Sequence, residues 1–373
     1  MSNCRDDQLL AEQRILNGDA WNDFCDQLKL SGQLLAQQAC PQDAFNRALG
    51  YRAITHWLRA GLEMGFDYSN PDFPAFYRLA DETKKMGNDN PDNIYFNCVV
   101  SGANDYRIYG NRGSVDWFSI NSKASATSIP GMKDTGTIES GDMQFDGNGD
   151  FEVLVSSKSQ QKNWLAMQAS TQQLIVRQTF GERSKEVPAA FNIECLTPKS
   201  RNNTPSVVDF EPALQRALTF VNSTAQWTND WMTIFAEHIN DLPDDDQLRC
   251  INSGGDPDIR YYQSRWRLAE DEALLIHLQD IPDCQTWNFQ LSNAWMESLD
   301  YRFFNVCINK HTAYYEPDGS VKIVVANRDP GEKYPNWLNT CDHFEGGMLG
   351  RLVKAQRFLP EFPARVYPLA ELI

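Results

Sequence analysis

Motifs that mark several large enzyme classes are missing from this chain. It contains no Gly-x-Ser-x-Gly elbow, no Gly-x-x-x-x-Gly-Lys-Ser/Thr loop and no Gly-x-Gly-x-x-Gly turn. These motifs position a serine nucleophile, a nucleoside triphosphate and a dinucleotide, so their absence disfavours a serine hydrolase, a P-loop NTPase and a Rossmann enzyme. The sequence therefore identifies no reaction by motif.

Paired cysteines and long apolar runs are also absent. Nine cysteines are scattered singly without a Cys-x-x-Cys pair, which disfavours a zinc knuckle and a thioredoxin-type site. The first residues carry no signal-peptide pattern, and no stretch approaches the roughly eighteen apolar residues of a membrane-spanning helix. An odd number of cysteines in such a chain favours free thiols in a reducing compartment. We therefore expect a cytoplasmic protein.

Positive charge is scarce. The chain has 34 Lys and Arg residues against 50 Asp and Glu residues, which gives a net charge of −16 and a pI of about 4.8. An acidic surface repels phosphate groups, so we expect neither nucleic acid nor a membrane as a partner. The hydrophobic fraction of 42% indicates a globular protein, and 373 residues allow one large or two medium domains. These totals do not exclude a homo-oligomer.

Apolar spacing divides the chain into helical and β-rich parts. Helical spacing runs through residues 7–66 and returns at 209–240, whereas short alternating segments separated by turn formers dominate elsewhere. Residues 320–326, SVKIVVA, form the clearest strand. No repeat of solenoid length is visible, although the two β-rich blocks could be two similar sheets. The pattern predicts an α+β protein.

The stretch Cys284–Tyr301 combines tryptophans, amides and carboxylates in a way that is unusual for a core strand or a surface helix. Apolar and amide-bearing side chains alternate from residue 287 to 292, so one face of a strand is apolar and the other polar. Buried amides need hydrogen-bond partners, and we therefore expect the polar face to line a pocket. The substrate-binding residues predicted here are Trp287, Asn288, Gln290, Asn293, Trp295 and Glu297.

Two loops are rich in turn-forming residues. Residues 87–93, GNDNPDN, are either a plain loop or a loop that presents binding residues, and Asn93 joins the predicted binding residues on the second interpretation. Residues 145–152, FDGNGDFE, match the first three ligand positions of an EF-hand loop but lack its later glycine and glutamate. This second loop predicts a hairpin turn rather than a calcium site.

Histidines supply the candidate proton-transfer group. His343 lies in polar company, and a nearby carboxylate, Asp329 or Glu345, could orient it for general acid–base catalysis. A metal site is an alternative in which His343, Glu345 and His311 supply two histidines and one carboxylate. His311 is also a predicted binding residue. A third interpretation is a histidine that is hydrogen-bonded within a loop and has no catalytic role.

The C-terminal part of the sequence resembles a known family. DGSVKIVVANRDPG at 318–331, NWLNT at 336–340 and a predicted last strand at 365–372 are similar to the bacterial domain of unknown function twelve-fourteen. Upstream segments such as YRIYGNRGSVDWFS and WNFQLSNAWMESLDY resemble longer members that carry this domain at the C-terminus. The likeness covers about residues 45–373. It implies a β-sandwich of jelly-roll type with helical additions and transfers no catalytic residues.

The combined prediction is an α+β fold with β-sandwich or jelly-roll-like sheets, an N-terminal helical region and a helical insert. The predicted parts are the N-terminal helical region 1–80, a first β-rich block 81–208, the helical insert 209–245 and a C-terminal β-sandwich block 246–373.

The many aromatic residues near amides and carboxylates suit an apolar pocket with a few polar anchors. We therefore expect an enzyme that acts on a small, largely apolar molecule by acid–base proton transfer, of the lyase, hydratase or isomerase type. No organic cofactor is expected, and a divalent metal is a minor alternative. The competing hypothesis is a non-catalytic protein that binds carbohydrate or another small ligand. A cavity that contains His343 and a carboxylate would favour the enzyme, whereas exposed Trp287 or Trp295 would favour the binding protein.

Overall fold

Five α-helices frame the β-rich parts of the chain. The computed structural model of the protein describes residues 2–36, 40–124, 132–197, 206–359 and 361–373. Among these residues, no helix is both long and apolar enough to cross a membrane. The helices are α1 (Ser2–Leu16), α2 (Asp19–Ser31), α3 (Ala44–Leu62), α4 (Val207–Phe235) and α5 (Gln247–Asn252).

The N-terminal helices follow the predicted helical spacing and end at recognisable signals. The carboxylate of Asp43 accepts a hydrogen bond from the N–H of Asn46 at 3.0 Å, which caps the start of α3. After α3 the chain makes one π-helical turn at Glu63–Asp67 and then leaves the helix. Trp57 lies fully buried on α3 in an apolar cluster with Phe220 of α4. The helical region and α4 therefore form one packed layer.

Eight strands of the first β-rich block form two four-stranded sheets. Their strand orders are β1-β7-β3-β4 and β6-β5-β2-β8. The buried faces of both sheets share one apolar core, to which β1, β2, β3, β5, β6 and β7 all contribute. We call this pair of sheets the first sandwich. Its strands are β1 (Asn93–Val99), β2 (Tyr106–Asn111), β3 (Trp117–Lys123), β4 (Asp134–Glu139), β5 (Asp150–Ser156), β6 (Trp164–Ala166), β7 (Gln173–Thr179) and β8 (Ala190–Cys195).

A second pair of four-stranded sheets, the second sandwich, follows α4. The strand orders are β10-β16-β12-β13 and β15-β14-β11-β18, and one apolar core lies between these sheets. β9 and β17 form a separate two-stranded ribbon. The strands are β9 (Leu242–Pro243), β10 (Ile259–Arg267), β11 (Glu272–Leu278), β12 (Thr286–Leu291), β13 (Cys307–Asn309), β14 (Val321–Ala326), β15 (Trp337–Asn339), β16 (Glu345–Val353), β17 (Glu361–Phe362) and β18 (Ala364–Pro368).

The two sandwiches have the same topology. If β1 to β7 are matched to β10 to β16 in order, and β8 to β18, both strand orders become identical. The pairing directions agree as well, because β5–β6 and β14–β15 are the only parallel pairs within the described sheets. Asn163-Trp164-Leu165 and Asn336-Trp337-Leu338 occupy equivalent places at β6 and β15. The predicted α+β fold with sandwich-like sheets is confirmed, and the similarity extends to the order of every strand.

Two local predictions need correction. The side chain of Asp146 accepts hydrogen bonds from the N–H groups of Asn148 and Asp150, which confirms the predicted turn, but the turn does not join a hairpin. β5 crosses to the other sheet of the sandwich and pairs with β2, not with β4. The predicted last strand ends at Pro368, because Leu369–Glu371 form a 3-10 turn.

Candidate functional site

A cavity of about 220 Å³ lies between the two sandwiches. One sheet of each sandwich faces it: β1 and β7 from the first, and β10, β12 and β16 from the second. The remaining wall comes from α4, from the loop before β1 and from the loop that joins α5 to β10. Alternate residues of these strands pack into the apolar cores, so the opposite, more polar faces are turned toward the cavity. Every secondary-structure class of the fold therefore contributes to this one site.

Arg351 on β16 is buried in the cavity wall, with 7% of its surface exposed. Its Nη1 donates to Oε1 of Gln290 at 2.6 Å, and its Nη2 donates to the carbonyl of Asn88 at 2.9 Å. A longer contact of 3.4 Å joins Nη1 to Oδ1 of Asn288. All three partners are neutral, and they fix the orientation of the guanidinium group without neutralising its charge.

Arg177 on β7 lines the same cavity and is 9% exposed. Its Nη1 donates to Oδ1 of Asn121 at 2.8 Å, and its Nη2 donates to the carbonyl of Gly254 at 2.5 Å. Among the described residues, neither Arg177 nor Arg351 has a carboxylate within salt-bridge distance. Buried charges are normally paired, because removing an ion from water costs several kcal/mol. Two guanidinium groups that line the same cavity therefore make it attractive to an anion.

Two carboxylates, Asp89 and Asp92, line the cavity, and burial raises the pKa of both. Burial raises the pKa of Asp92 to about 6, although hydrogen bonds from Asn309 and Asn288 and the charges of Arg351 and Arg183 oppose the rise. Protein surrounds the carboxylate, yet the residue keeps part of its surface free because it borders the cavity. A carboxylate with a pKa close to neutral can both accept and donate a proton near physiological pH.

An apolar wall faces these polar groups. Trp227 and Trp231 of α4 lie side by side, with ring centroids 5.5 Å apart, and both line the cavity. Ile175 and Leu349 contribute aliphatic surface from the two sheets. The site thus combines a mainly apolar surface with a few polar anchors, which is the usual composition of a small-molecule site.

The alternation of residues 287–292 is confirmed by the structure. Trp287 is buried in the core of the second sandwich, where its indole N–H donates to the hydroxyl of Tyr315 at 3.2 Å. Asn288 points the other way and lines the cavity. Gln290 lies on the same polar face, accepts from Arg351 and donates to the carbonyl of Asp89 at 2.9 Å. Of the residues predicted from this strand, Asn288 contributes to the cavity wall and Gln290 positions Arg351.

The residues that follow β12 form a separate polar cluster against α3. Glu297 is buried, with one carboxylate oxygen 2.6 Å from Nδ1 of His56 and the other 2.9 Å from Nδ2 of Asn293. Trp295 donates from its indole N–H to the carbonyl of Asn46 at 2.8 Å. This cluster joins the helical region to the second sandwich and lies outside the cavity wall. Trp287 and Trp295 are both buried, so neither offers an exposed ring on which a sugar could stack.

The predicted catalytic residues lie in different surroundings. Burial lowers the pKa of His343 to about 4, and its ring packs edge-on against Phe45 at 5.1 Å. Glu345 forms salt bridges with Arg265 and Arg267. No described contact joins His343 to Glu345 or Asp329.

Three predicted residues remain. Asp329 and His311 lie in turns, and Asn93 lines the cavity. Asp329 is exposed and accepts from the N–H of Gly331 within its own turn. His311 is exposed next to Gly181. Asn93, by contrast, lines the cavity at the start of β1. Over the described ranges, no group of three or more His, Cys, Asp or Glu side chains is placed to hold a metal ion.

Reasoning from the sequence missed four residues of the site, namely Arg177, Arg351, Asp92 and Trp231. An arginine within an alternating strand normally points to solvent, and only the docking of one sandwich on the other buries these two. A usable signal was present in the repeated Asn-Trp-Leu motif, which follows an alternating strand in both β-rich blocks. Aligning the blocks on this motif would have placed the two arginines on equivalent strands.

Comparison with known proteins places the chain beside a protein family and beside solved structures of similar fold. The family described as a protein of unknown function, DUF1214, matches residues 266–356, which confirms the resemblance of the C-terminal motifs. A crystal structure of an uncharacterized protein from Burkholderia cenocepacia is 38% identical, covers 96% of this chain and 99% of its own, and superposes with a TM-score of 0.92. No curated protein matches the chain.

A more distant structure adds no argument. The VPA0106 protein from Vibrio parahaemolyticus is 10% identical, with 85% of this chain and 99% of that chain covered and a TM-score of 0.48. The Burkholderia structure, in contrast, matches both sandwiches and the helices over nearly the whole length. Neither description includes an activity, so the chemistry of the cavity is the basis for a functional proposal.

Proposed function

Because the chain belongs to the DUF1214 family, whose description contains no activity, we propose from the cavity alone that the protein binds a small organic anion between its two sandwiches. The observation that carries this proposal is that two buried arginines, one from each sandwich, line the same cavity without a salt-bridge partner among the described residues. An anionic ligand would supply the missing negative charge and accept charge-assisted hydrogen bonds.

The size and surface of the cavity support a ligand with an apolar body. A cavity of roughly 150 Å³ can hold benzene. The larger volume of about 220 Å³ suits a body of that size with one or two small polar substituents. Trp227 and Trp231 would cover the apolar body while Arg177 and Arg351 bind the anionic part. This ligand class retains the small, largely apolar molecule expected from the sequence and adds a charge to it.

Ligands retained during purification provide the first test. We expect native mass spectrometry of the purified protein to detect a bound small molecule, and denaturation to release an acidic compound. Replacing both Arg177 and Arg351 by Gln should remove the ligand, because neither of the two charges that bind it then remains. Arg357→Gln is the matched control, because Arg357 is exposed, pairs with Asp280 and does not line the cavity. If no compound co-purifies with the wild type and added benzoate does not bind to it, the proposal is incorrect.

A second candidate function is acid–base catalysis in the same cavity, and the raised pKa of Asp92 favours it. In this version Asp92 removes or returns a proton on the bound anion, as expected for a lyase, hydratase or isomerase. The cavity wall does not include His343, Asp329 or Glu345. In this version Asp92 therefore performs the proton transfer that the sequence predicted for them. Arg177 and Arg351 would bind the anion and stabilise negative charge that develops on it.

Deuterium exchange can separate catalysis from binding. The protein is incubated in D₂O with a panel of small 2-oxo acids, and loss of carbon-bound hydrogen is followed by proton NMR. A catalytic Asp92 should act as a base only when ionised, so the exchange rate should rise as the pH increases through about 6. Asp92→Asn should abolish the exchange while ligand binding persists. Exchange that is equally fast in Asp92→Asn would rule out this role.

A further inference from the structure

The two arginines of the cavity are structural equivalents of one another. In the first sandwich Arg177 is paired across the sheet with Tyr95, and in the second Arg351 is paired with Tyr261. These pairs lie on matching strands, β7 with β1 and β16 with β10, and all four side chains line the cavity. The same cation and the same aromatic neighbour therefore reach the cavity from both sides.

The loops that precede β1 and β10 are equivalent as well. The hydroxyl of Tyr95 accepts from the N–H of Asn90 at 3.3 Å, and the hydroxyl of Tyr261 accepts from the N–H of Asp256 at 2.9 Å. The side chains of Asn90 and Asp256 each accept from the N–H two residues further on, at 3.0 Å in both loops. Each sandwich thus carries the same tyrosine-anchored loop at the edge of the cavity.

The contacts between the two halves are reciprocal. Arg177 of the first sandwich donates to the carbonyl of Gly254 in the second loop, and Arg351 of the second sandwich donates to the carbonyl of Asn88 in the first loop. Reciprocal contacts of this kind are what a twofold relation between two equivalent units produces. The cavity lies where the equivalent units meet, with one arginine belonging to each.

The equivalence is incomplete at two places. Asp92 lines the cavity, whereas its counterpart Asp258 is exposed and lies 3.9 Å from Lys354. Trp227 and Trp231 cover one side without a counterpart, because a single α4 serves both sandwiches. Each sandwich therefore contributes an equivalent cation to the cavity, while the other groups of the cavity wall differ.

We propose that the ligand is a dianion, namely a small dicarboxylate with an apolar middle, in which Arg177 binds one carboxylate and Arg351 binds the other. This inference rests on the proposed binding function and specifies the charge of the ligand. Two equivalent cations at one cavity provide for two like groups, and a ligand with a single carboxylate would leave one buried guanidinium without its anion. The aliphatic side chains of Ile175 and Leu349, themselves at equivalent positions, line the same cavity and suit an apolar middle.

Calorimetric titration of the wild-type protein with matched probes tests the charge requirement. The probes are the dicarboxylates succinate, glutarate, adipate and terephthalate, the monocarboxylates hexanoate and benzoate, and the neutral adipamide and terephthalamide. We expect one dicarboxylate length to bind roughly ten- to a hundred-fold more tightly than its monocarboxylate, since a hydrogen-bonded charge is lost in the latter. Equal affinity for diacids and monoacids would overturn the dianion while leaving anion binding intact. Binding of the neutral diamides alone would overturn both proposals.

Variants at the two ends provide an independent test. Arg177→Gln and Arg351→Gln should each weaken the best dicarboxylate by roughly ten- to a hundred-fold and leave the monocarboxylates nearly unchanged, because one end still works. Arg177→Lys and Arg351→Lys retain the charge and serve where a Gln variant does not fold. Arg357→Gln should behave like the wild type. A preference for dicarboxylates that survives in both Gln variants would contradict the proposal.

Discussion

Burial raises the pKa of Asp92 and lowers the pKa of His343. As the pH rises, the stability that depends on Asp92 therefore decreases, whereas the stability that depends on His343 increases. The pKa of Asp92 is raised to about 6, and the pKa of His343 is lowered to about 4. Both changes favour the neutral form, as expected for a titratable group that is removed from water. An ionised Asp92 is therefore unfavourable to the folded state above pH 6, and a protonated His343 is unfavourable at acidic pH.

Asp92→Asn should stabilise the protein at neutral pH. The folded protein binds the Asp92 proton more tightly than the unfolded chain, so the stability from this group is complete below its ordinary pKa and is lost as the pH rises through about 6. A rise of the Asp92 pKa from its ordinary value to about 6 corresponds to about 3 kcal/mol at most. Urea unfolding at about pH 8 should show the full gain, and at about pH 4 the variant and the wild type should agree. A variant that is less stable at about pH 8 would mean that the ionised carboxylate is held favourably by Arg351.

His343→Phe should protect the protein against acid. The folded-state pKa of His343 is lowered to about 4, so the stability from this group is present above the ordinary histidine pKa and is lost as the pH falls through about 4. Phe preserves the ring beside Phe45 and cannot take up a proton. We expect the free energy of unfolding to fall less between about pH 6.5 and pH 4 in the variant, by about 3 kcal/mol at most. Parallel pH dependences of the two proteins would show that His343 does not titrate in this way.

Helix α3 docks on the second sandwich through a contact that only glycine permits. A Cβ atom at Gly50 would lie 2.5 Å from the ring of Trp295, and this ring is fixed by its hydrogen bond to Asn46. Gly50→Ala should therefore destabilise the protein by about 1 to 2 kcal/mol, because overpacking outweighs the better helix propensity of alanine. The control is Gly141→Ala, where an added Cβ meets nothing within 4 Å. A Gly50 variant as stable as this control would indicate that Trp295 can move aside.

The strands could be predicted from the sequence because local alternation determines them. The strand predicted at 320–326 is β14 (Val321–Ala326). Alternation also predicted that Asn288 and Trp287 point to opposite faces. It could not predict which surface each polar face meets. That depends on how the sandwiches dock, and the burial of Arg177 and Arg351 therefore remained hidden.

At the scale of the whole molecule, the chain contains two sandwiches with the same strand order, which little in the sequence reveals. The motif Asn-Trp-Leu survives at both β6 and β15, and its asparagine makes matching hydrogen bonds to carbonyls and an N–H in each sandwich. Most equivalent positions carry different residues, because many apolar side chains can fill a sandwich core. The shared topology is therefore a property of backbone pairing rather than of residue identity.

The loop before β1 couples the two sandwiches, and we predict that they unfold together. Asp89 is buried and its carboxylate accepts from the N–H and the hydroxyl of Ser298, at 3.0 and 2.8 Å. Gln290 and Asn288 donate to the same loop, at the carbonyl of Asp89 and at Asn90. A buried loop that bonds to both parts cannot keep its partners if either part melts alone. Far-ultraviolet circular dichroism and tryptophan fluorescence should therefore report one transition with the same midpoint.

Asp89→Ala tests whether this coupling holds blocks 81–208 and 246–373 together. Removing the carboxylate leaves two buried donors of Ser298 without an acceptor, at a cost of about 2 kcal/mol, so the single transition should move to lower temperature. Asp26→Ala is the matched control, since Asp26 is exposed and pairs with Lys29 within one helix. Two separate transitions in the wild type would mean that the blocks are independent domains. Two transitions in Asp89→Ala but one in the wild type would instead locate the coupling in this loop. A single transition in the wild type requires the interface to contribute more free energy than the difference in stability between the blocks.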